Sequence, residues 1–378
     1  MTPPTSAGLT TSGPAAHRAK PGVTIKALSV HLGREAARCI ARDGWDPALF
    51  NLLLGASGGP KWFILGQLDR FLFGDYLQRS QKPLAALGSS IGSWRHACLA
   101  QADPIAAVDR MEKGYLYQFY ESSRPGPQEI SAVSRGIINS VLGPDGRTAI
   151  IEHPRITSHI VTARGKGPSG SRSSALLATG MGVAALGNTV SRKLLKHHFQ
   201  RVVFHNGINH SSGLSMDDFD TIYCSLTQNN VLEALHASGA IPFVLSGERD
   251  ISGAPRGQYW DGGIIDYHFD LGQFQNEGLI LYPHFRAGIV PGWFDKFLPW
   301  RHAGISDAEK LVLLCPSEEF VATLPHGKIP DRTDFSKMKE QERIRYWEHC
   351  IQASSALAEE FSALIEHNNP LQGATVHS

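Results

Sequence analysis

Apolar and glycine positions near the start of the chain repeat one pattern. Residues 50–54 form a short apolar run, as in a strand buried on both faces of a parallel sheet. The run ends in Gly55-Ala56-Ser57-Gly58-Gly59-Pro60-Lys61-Trp62, and residues 63–77 then show helical spacing, with Pro60 suited to a helix start. The pattern returns at once: an apolar strand over 83–87, a tight turn Gly88-Ser89-Ser90-Ile91-Gly92, and a helix over 93–101. Two successive strand–turn–helix units predict an α/β fold with a largely parallel sheet.

Elsewhere the pattern predicts an amphipathic helix over 25–40, broken at Gly44 and Pro47, and strands over 158–162, 201–204 and 221–226. Residues 165–174 read as a polar loop. Residues 175–190 lack any charge but include three glycines and fall short of the roughly 20 residues a spanning helix needs. A buried core helix is the expectation. Residues 340–367 alternate charged and apolar positions like one long surface helix closing the domain. No internal repeat is visible.

A chain of 378 residues can bury one large α/β core or two smaller ones. The expected layout is a disordered tail over 1–22, a catalytic domain over 23–275 and an extension over 276–370 packed on the same domain. The tail has no apolar segment of a secretory signal; Arg18 and Lys20 without any acid leave a transit peptide as the alternative, against which its prolines argue. Thirty-six Lys and Arg against 35 Asp and Glu give a net charge of +1, without the basic run that nucleic-acid binding needs. Cys39, Cys98, Cys224, Cys315 and Cys350 are odd in number, scattered and without a CxxC pair, which reads as reduced thiols in a cytoplasmic protein.

Both glycine turns match G-x-S-x-G, the sequence of a nucleophile elbow. In such a turn a serine sits between strand and helix, and flanking glycines relieve the crowding. Either could equally be a plain tight turn. Gly55 to Lys61 is a near miss to a phosphate-binding loop, with Pro60 where Gly is needed and no Ser or Thr after Lys61. The 17 histidines show no metal-ligand spacing, so neither metal nor cofactor is expected.

Downstream come Ala237-Ser238-Gly239-Ala240-Ile241-Pro242 and Tyr259-Trp260-Asp261-Gly262-Gly263. The order of a glycine-rich loop with a basic residue, G-x-S-x-G, Ala-Ser-x-Ala-x-Pro and Asp-Gly-Gly resembles the patatin-like phospholipase family. The resemblance implies a three-layer α/β/α sandwich and a serine acyl hydrolase acting on lipid esters. It makes Ser90 the nucleophile, Asp261 its base, Gly58 and Gly59 the oxyanion hole, and Ser57 and Lys61 the support of that loop. The chain departs from the family in having Ser57-Gly58-Gly59 rather than three glycines, and Trp62, expected to narrow the acyl entrance. Two alternatives stay open: a Ser-His-Asp carboxylesterase using His284 or His326, and a non-catalytic lipid-binding protein of the same fold. The stretch Pro291-Gly292-Trp293-Phe294-Asp295-Lys296-Phe297-Leu298-Pro299-Trp300-Arg301 reads either as a loop touching a membrane peripherally or as aromatics that cap the core or line the acyl pocket.

Overall fold

Both predicted strand–turn–helix units form, the first as strand Phe50–Gly55 and helix Gly66–Gly74, the second as strand Leu84–Ser89 and helix Ile91–Leu99. The structure, a computed structural model, describes residues 25–207, 214, 216–274, 277–302 and 308–377. The tail expected over residues 1–22 lies outside them.

The strands are β1 (Leu28–Leu32), β2 (Phe50–Gly55), β3 (Leu84–Ser89), β4 (Ile156–Gly165), β5 (Phe199–His205), β6 (Thr221–Ser225), β7 (Glu248–Arg249), β8 (Gln258–Asp261), β9 (Leu279–Pro283), β10 (Leu311–Pro316) and β11 (Thr375–Val376). They make one sheet in the order β11-β1-β10-β9-β2-β3-β4-β5-β6, with β8 against β4 and β7 against β8. From β10 through β4 every pairing is parallel. Antiparallel pairs are β1 with β10, β4 with β5, β4 with β8, and β7 with β8. Every residue of β3 is buried, as expected of a central strand with both faces covered. Helices pack against the sheet in a three-layer α/β/α arrangement. One apolar cluster runs through most of the molecule, and a second lies between helix Ser174–Val190 and β4, β5 and β8. Among the described residues no helix is long and apolar enough to cross a membrane.

Three expectations need correction. Residues 25–40 are not one helix: β1 precedes helix Arg34–Asp43, because Leu28, Val30 and Leu32 alternate with half-buried Ser29 and His31. That is the period of a strand, and β10 and β11 flank it on both edges. Residues 340–367 form two helices, Glu340–Ala353 and Ser355–Ile365. Between them the Ser354 hydroxyl donates to the Ile351 carbonyl at 2.7 Å, a local bond that competes with helical continuation.

The third correction concerns helix Ser174–Val190, which is not a buried core helix. Leu177, Gly180, Met181 and Ala184 pack inward, while Leu176, Val183, Leu186 and Val190 are exposed. Those four fall on one stripe of the helix surface. Absence of charge says a helix has no polar face; it does not say how many faces are covered.

Candidate active site

The length of β4 positions the site. β3 runs parallel to β4 as far as the pair Ser89 and Val161. β8 comes down the same edge of β4 in the opposite direction and ends at the pair Asp261 and Thr162. The two strands therefore meet end to end, and the residue after β3 faces the last residue of β8. The Ser90 Oγ donates to Asp261 Oδ2 at 2.8 Å.

Ser90 has φ 56° and ψ −128°, immediately before helix Ile91–Leu99. A non-glycine residue held there costs about 1–3 kcal/mol, and its neighbours must allow the turn. A Cβ on Gly92 would stand 2.0 Å from the Gly55 carbonyl oxygen, and one on Gly88 would stand 2.6 Å from Ser93 backbone atoms. The two glycine turns thus pack against each other. Ser238 closes the arrangement: its hydroxyl accepts the Ser90 N–H at 2.9 Å and donates to the Val161 carbonyl at 2.6 Å.

Asp261 is buried at 7% exposure, and its second oxygen accepts the Gly263 N–H at 2.7 Å. Burial pushes the carboxyl up to about 6; the Gly263 and Ser90 hydrogen bonds, then Arg332 and Lys296, hold it from rising further. A carboxylate tuned into this range can take a proton near neutral pH and give it back. Asp266, five residues on, anchors the turn from below: it pairs with Arg201 through two bonds of 2.7 Å, and neither group is exposed.

Of the residues expected in the oxyanion loop, Ser57 and Gly58 line the same pocket as Ser90 and Asp261. The Ser57 hydroxyl donates to the Ser89 hydroxyl at 3.0 Å, and its N–H donates to the Tyr267 carbonyl at 2.9 Å. Gly59 opens the turn Gly59–Leu65 with φ 56°, so its N–H has no partner within that turn. Lys61 points elsewhere: its Nζ is 3.7 Å from Asp331 and 5.1 Å from the centre of the Phe285 ring. Trp62 does not narrow an entrance. It is 1% exposed, stacked on Phe63 and edge-on to Tyr115 in the core.

Neither candidate histidine reaches the pair. His284 is fully buried among His268, Tyr282 and Phe285, bonds to the Arg286 carbonyl, and is held down to about 3 by burial. His326 stands edge-on to Tyr346. The aromatic stretch divides its roles: Trp293 and Lys296 line the pocket, Phe294 packs with Phe199, and Phe297 and Trp300 face outward. Tyr267 and Arg332 complete the lining, and no motif in the sequence marks either one. Beside this pocket lies a cavity of about 580 Å³ with mostly apolar walls, and Ile241 and Arg332 border both spaces.

Searches of curated proteins and of solved structures return no match. A family model, patatin-like phospholipase, matches residues 56–268, more than half of the chain. Those limits contain the second glycine turn, all of the first but Gly55, Ser238 and Asp261, the parts that meet across β4. The chain is a member of the patatin-like phospholipase family.

Proposed function

We propose that the protein hydrolyses carboxylic esters of lipids through an acyl-enzyme on Ser90, with Asp261 as general base. Family membership supports lipid acyl hydrolysis in general; the 2.8 Å bond between Ser90 Oγ and Asp261 Oδ2 carries the specific reading. Ser90 Oγ attacks the ester carbonyl carbon as its proton passes to Asp261. The carbonyl electrons move onto oxygen, met by the N–H groups of Gly58 and Gly59. Collapse of this adduct breaks the ester bond, and the departing alcohol takes the proton from Asp261. Water then attacks the acyl-Ser90 ester, giving its proton to Asp261, which returns it to Ser90 as the fatty acid leaves. Among the described residues Asp261 bonds no histidine, which favours the dyad over a Ser-His-Asp triad. The hydrogen-bonded pair in a lined pocket favours turnover over a non-catalytic lipid binder. An alkyl fluorophosphonate should label the wild type once, on the peptide containing Ser90, and leave Ser90→Ala unlabelled. Labelling elsewhere, or none, would remove this reading.

A second element of the proposal is peripheral contact with a lipid bilayer. Phe297 is 85% exposed and Trp300 70%, beside the outer stripe of helix Ser174–Val190, where Leu186 is 71% exposed and Val190 78%. Asn188 of the helix joins the two parts through Asp295 at 2.7 Å and Arg301 at 3.1 Å. Residues 153–216 contain eight Lys and Arg and no Asp or Glu, and Arg172, Lys193 and Lys196 are exposed at the two ends of this apolar face. An apolar face rimmed by cations suits a surface containing anionic lipid. Phe297 directly follows the pocket residue Lys296, so the pocket would open beside the bilayer.

A further inference from the structure

Among the described residues, two cations of the Ser90–Asp261 pocket form no ion pair, and both come from beyond the residues that the family model matches. Lys296 sits on the turn Trp293–Phe297 with its Nζ 3.7 Å from the centre of the Tyr267 ring. Neither its ammonium nor the Arg332 guanidinium makes a hydrogen bond or ion pair with any described residue. The carboxylates nearby are already engaged. Asp261 accepts from Ser90 and Gly263, while Asp331 accepts the Thr333 N–H and lies against Lys61. Lys61 and Arg286 add their charges to the same region, so four cations stand against two carboxylates.

Holding an ammonium in this partly dry setting is costly. Burial first, then Lys61 and Arg332, bring Lys296 down to about 7. A pocket that handled only neutral esters would gain from an apolar side chain at this position, whereas an anion in the substrate would offset the cost. Arg332 stands at the junction with the larger cavity, whose walls include Trp94, Tyr115, Ile137, Val244 and Phe335. That cavity suits an acyl chain, which leaves the other half of the ester on the Lys296 side.

We propose that Lys296 and Arg332 recognise an anionic group, a phosphate or a carboxylate, on the alcohol half of the ester. The proposal rests on the hydrolase reading above and names the substrate class it implies. Both side chains line the pocket that holds Ser90 and Asp261, and an acyl chain in the larger cavity would bring the ester carbonyl to Ser90.

The test compares three decanoyl esters below their aggregation concentrations: decanoylglycerol, decanoylglycerol phosphate and decanoyl lactate. Wild type should show kcat/KM at least about tenfold higher for a charged ester than for the neutral one. Preference for the phosphate or for the lactate ester identifies which anion is meant. Lys296→Met and Arg332→Gln should each collapse that ratio, mainly through KM, and Lys296→Arg should retain most of it. Binding is measured separately by calorimetry on Ser90→Ala with the uncleavable ethers decylglycerol and decylglycerol phosphate. If wild type cleaves no ester while Ser90→Ala binds the phosphate ether about tenfold tighter, the hydrolase reading falls and the anion site stands. Equal kcat/KM for all three esters overturns the anion site; where wild type cleaves no ester, equal affinity for the two ethers overturns it.

Discussion

The Ser238 hydroxyl stands 2.9 Å from the Ser90 backbone nitrogen and 2.6 Å from the Val161 carbonyl, a bridge from β4 to the strained turn. It satisfies a buried N–H that the unusual φ of Ser90 turns away from the sheet. Ser238→Ala should therefore lower unfolding stability in urea by about 1–3 kcal/mol, the cost of leaving a buried donor unsatisfied. It should also lower ester hydrolysis, because the turn that aims Ser90 loses its tie. Full activity with unchanged stability would show that the turn holds itself.

Asp261→Asn should reduce kcat by about 10² to 10⁴-fold, the range for lost acid-base catalysis. His326→Ala and His284→Gln should stay within about tenfold of wild type, since neither ring contacts Ser90 or Asp261. A histidine variant as inactive as Asp261→Asn would restore the triad.

The pH dependence has a definite sign. Only ionised Asp261 can accept the Ser90 proton, and burial pushes that carboxyl up to about 6. For a neutral soluble ester, kcat/KM should rise about tenfold per pH unit below this value and level off above it. Stability runs the other way. The folded state holds this proton more tightly than the unfolded chain, so Asp261 contributes stability at low pH that is lost as pH rises through about 6. Asp261→Asn should thus gain melting temperature relative to wild type between pH 4 and pH 8. A flat rate profile from pH 4.5 to 7.5 would exclude Asp261 as the base.

The glycines separate structural roles from chemical ones. Gly92→Ala drives a Cβ to within 2.0 Å of the Gly55 carbonyl oxygen and should abolish folding. Gly59 has only the Tyr115 hydroxyl near its missing Cβ, at 3.5 Å, so Gly59→Val is strained by its φ of 56° rather than by a clash. It should fold with a loss of about 1–2 kcal/mol and still lose turnover strongly as the oxyanion N–H is displaced. A melting curve and an ester assay on the same samples separate the two effects; activity loss matching stability loss would make Gly59 a structural residue.

For the bilayer contact, a Phe297→Ser, Trp300→Ser, Leu186→Ser triple variant should stop cosedimenting with vesicles containing anionic lipid, while still cleaving a soluble short-chain ester. Wild type should bind such vesicles more weakly as salt rises. A wild type that ignores vesicles and elutes as a dimer would assign this apolar face to a second copy of the chain.

Local sterics made the two strand–turn–helix units legible in the sequence, because apolar runs, glycines and helical spacing act over a few residues. The order of the four motifs likewise pointed to the family, and the match over residues 56–268 bears that out. Other features depend on partners distant in the chain. Ser90 and Asp261 are 171 positions apart, and they meet because β8 runs backwards along the part of β4 that β3 leaves free. Which side of an uncharged helix is covered depends on what packs there, so residues 175–190 read as buried when one face is open. The cations followed the same rule. Lys61 sat within a recognisable motif yet turns toward Asp331, while Lys296, from the aromatic stretch, and Arg332, outside any motif, line the pocket. A charge does its work through its neighbours in space, and only the tertiary structure names them.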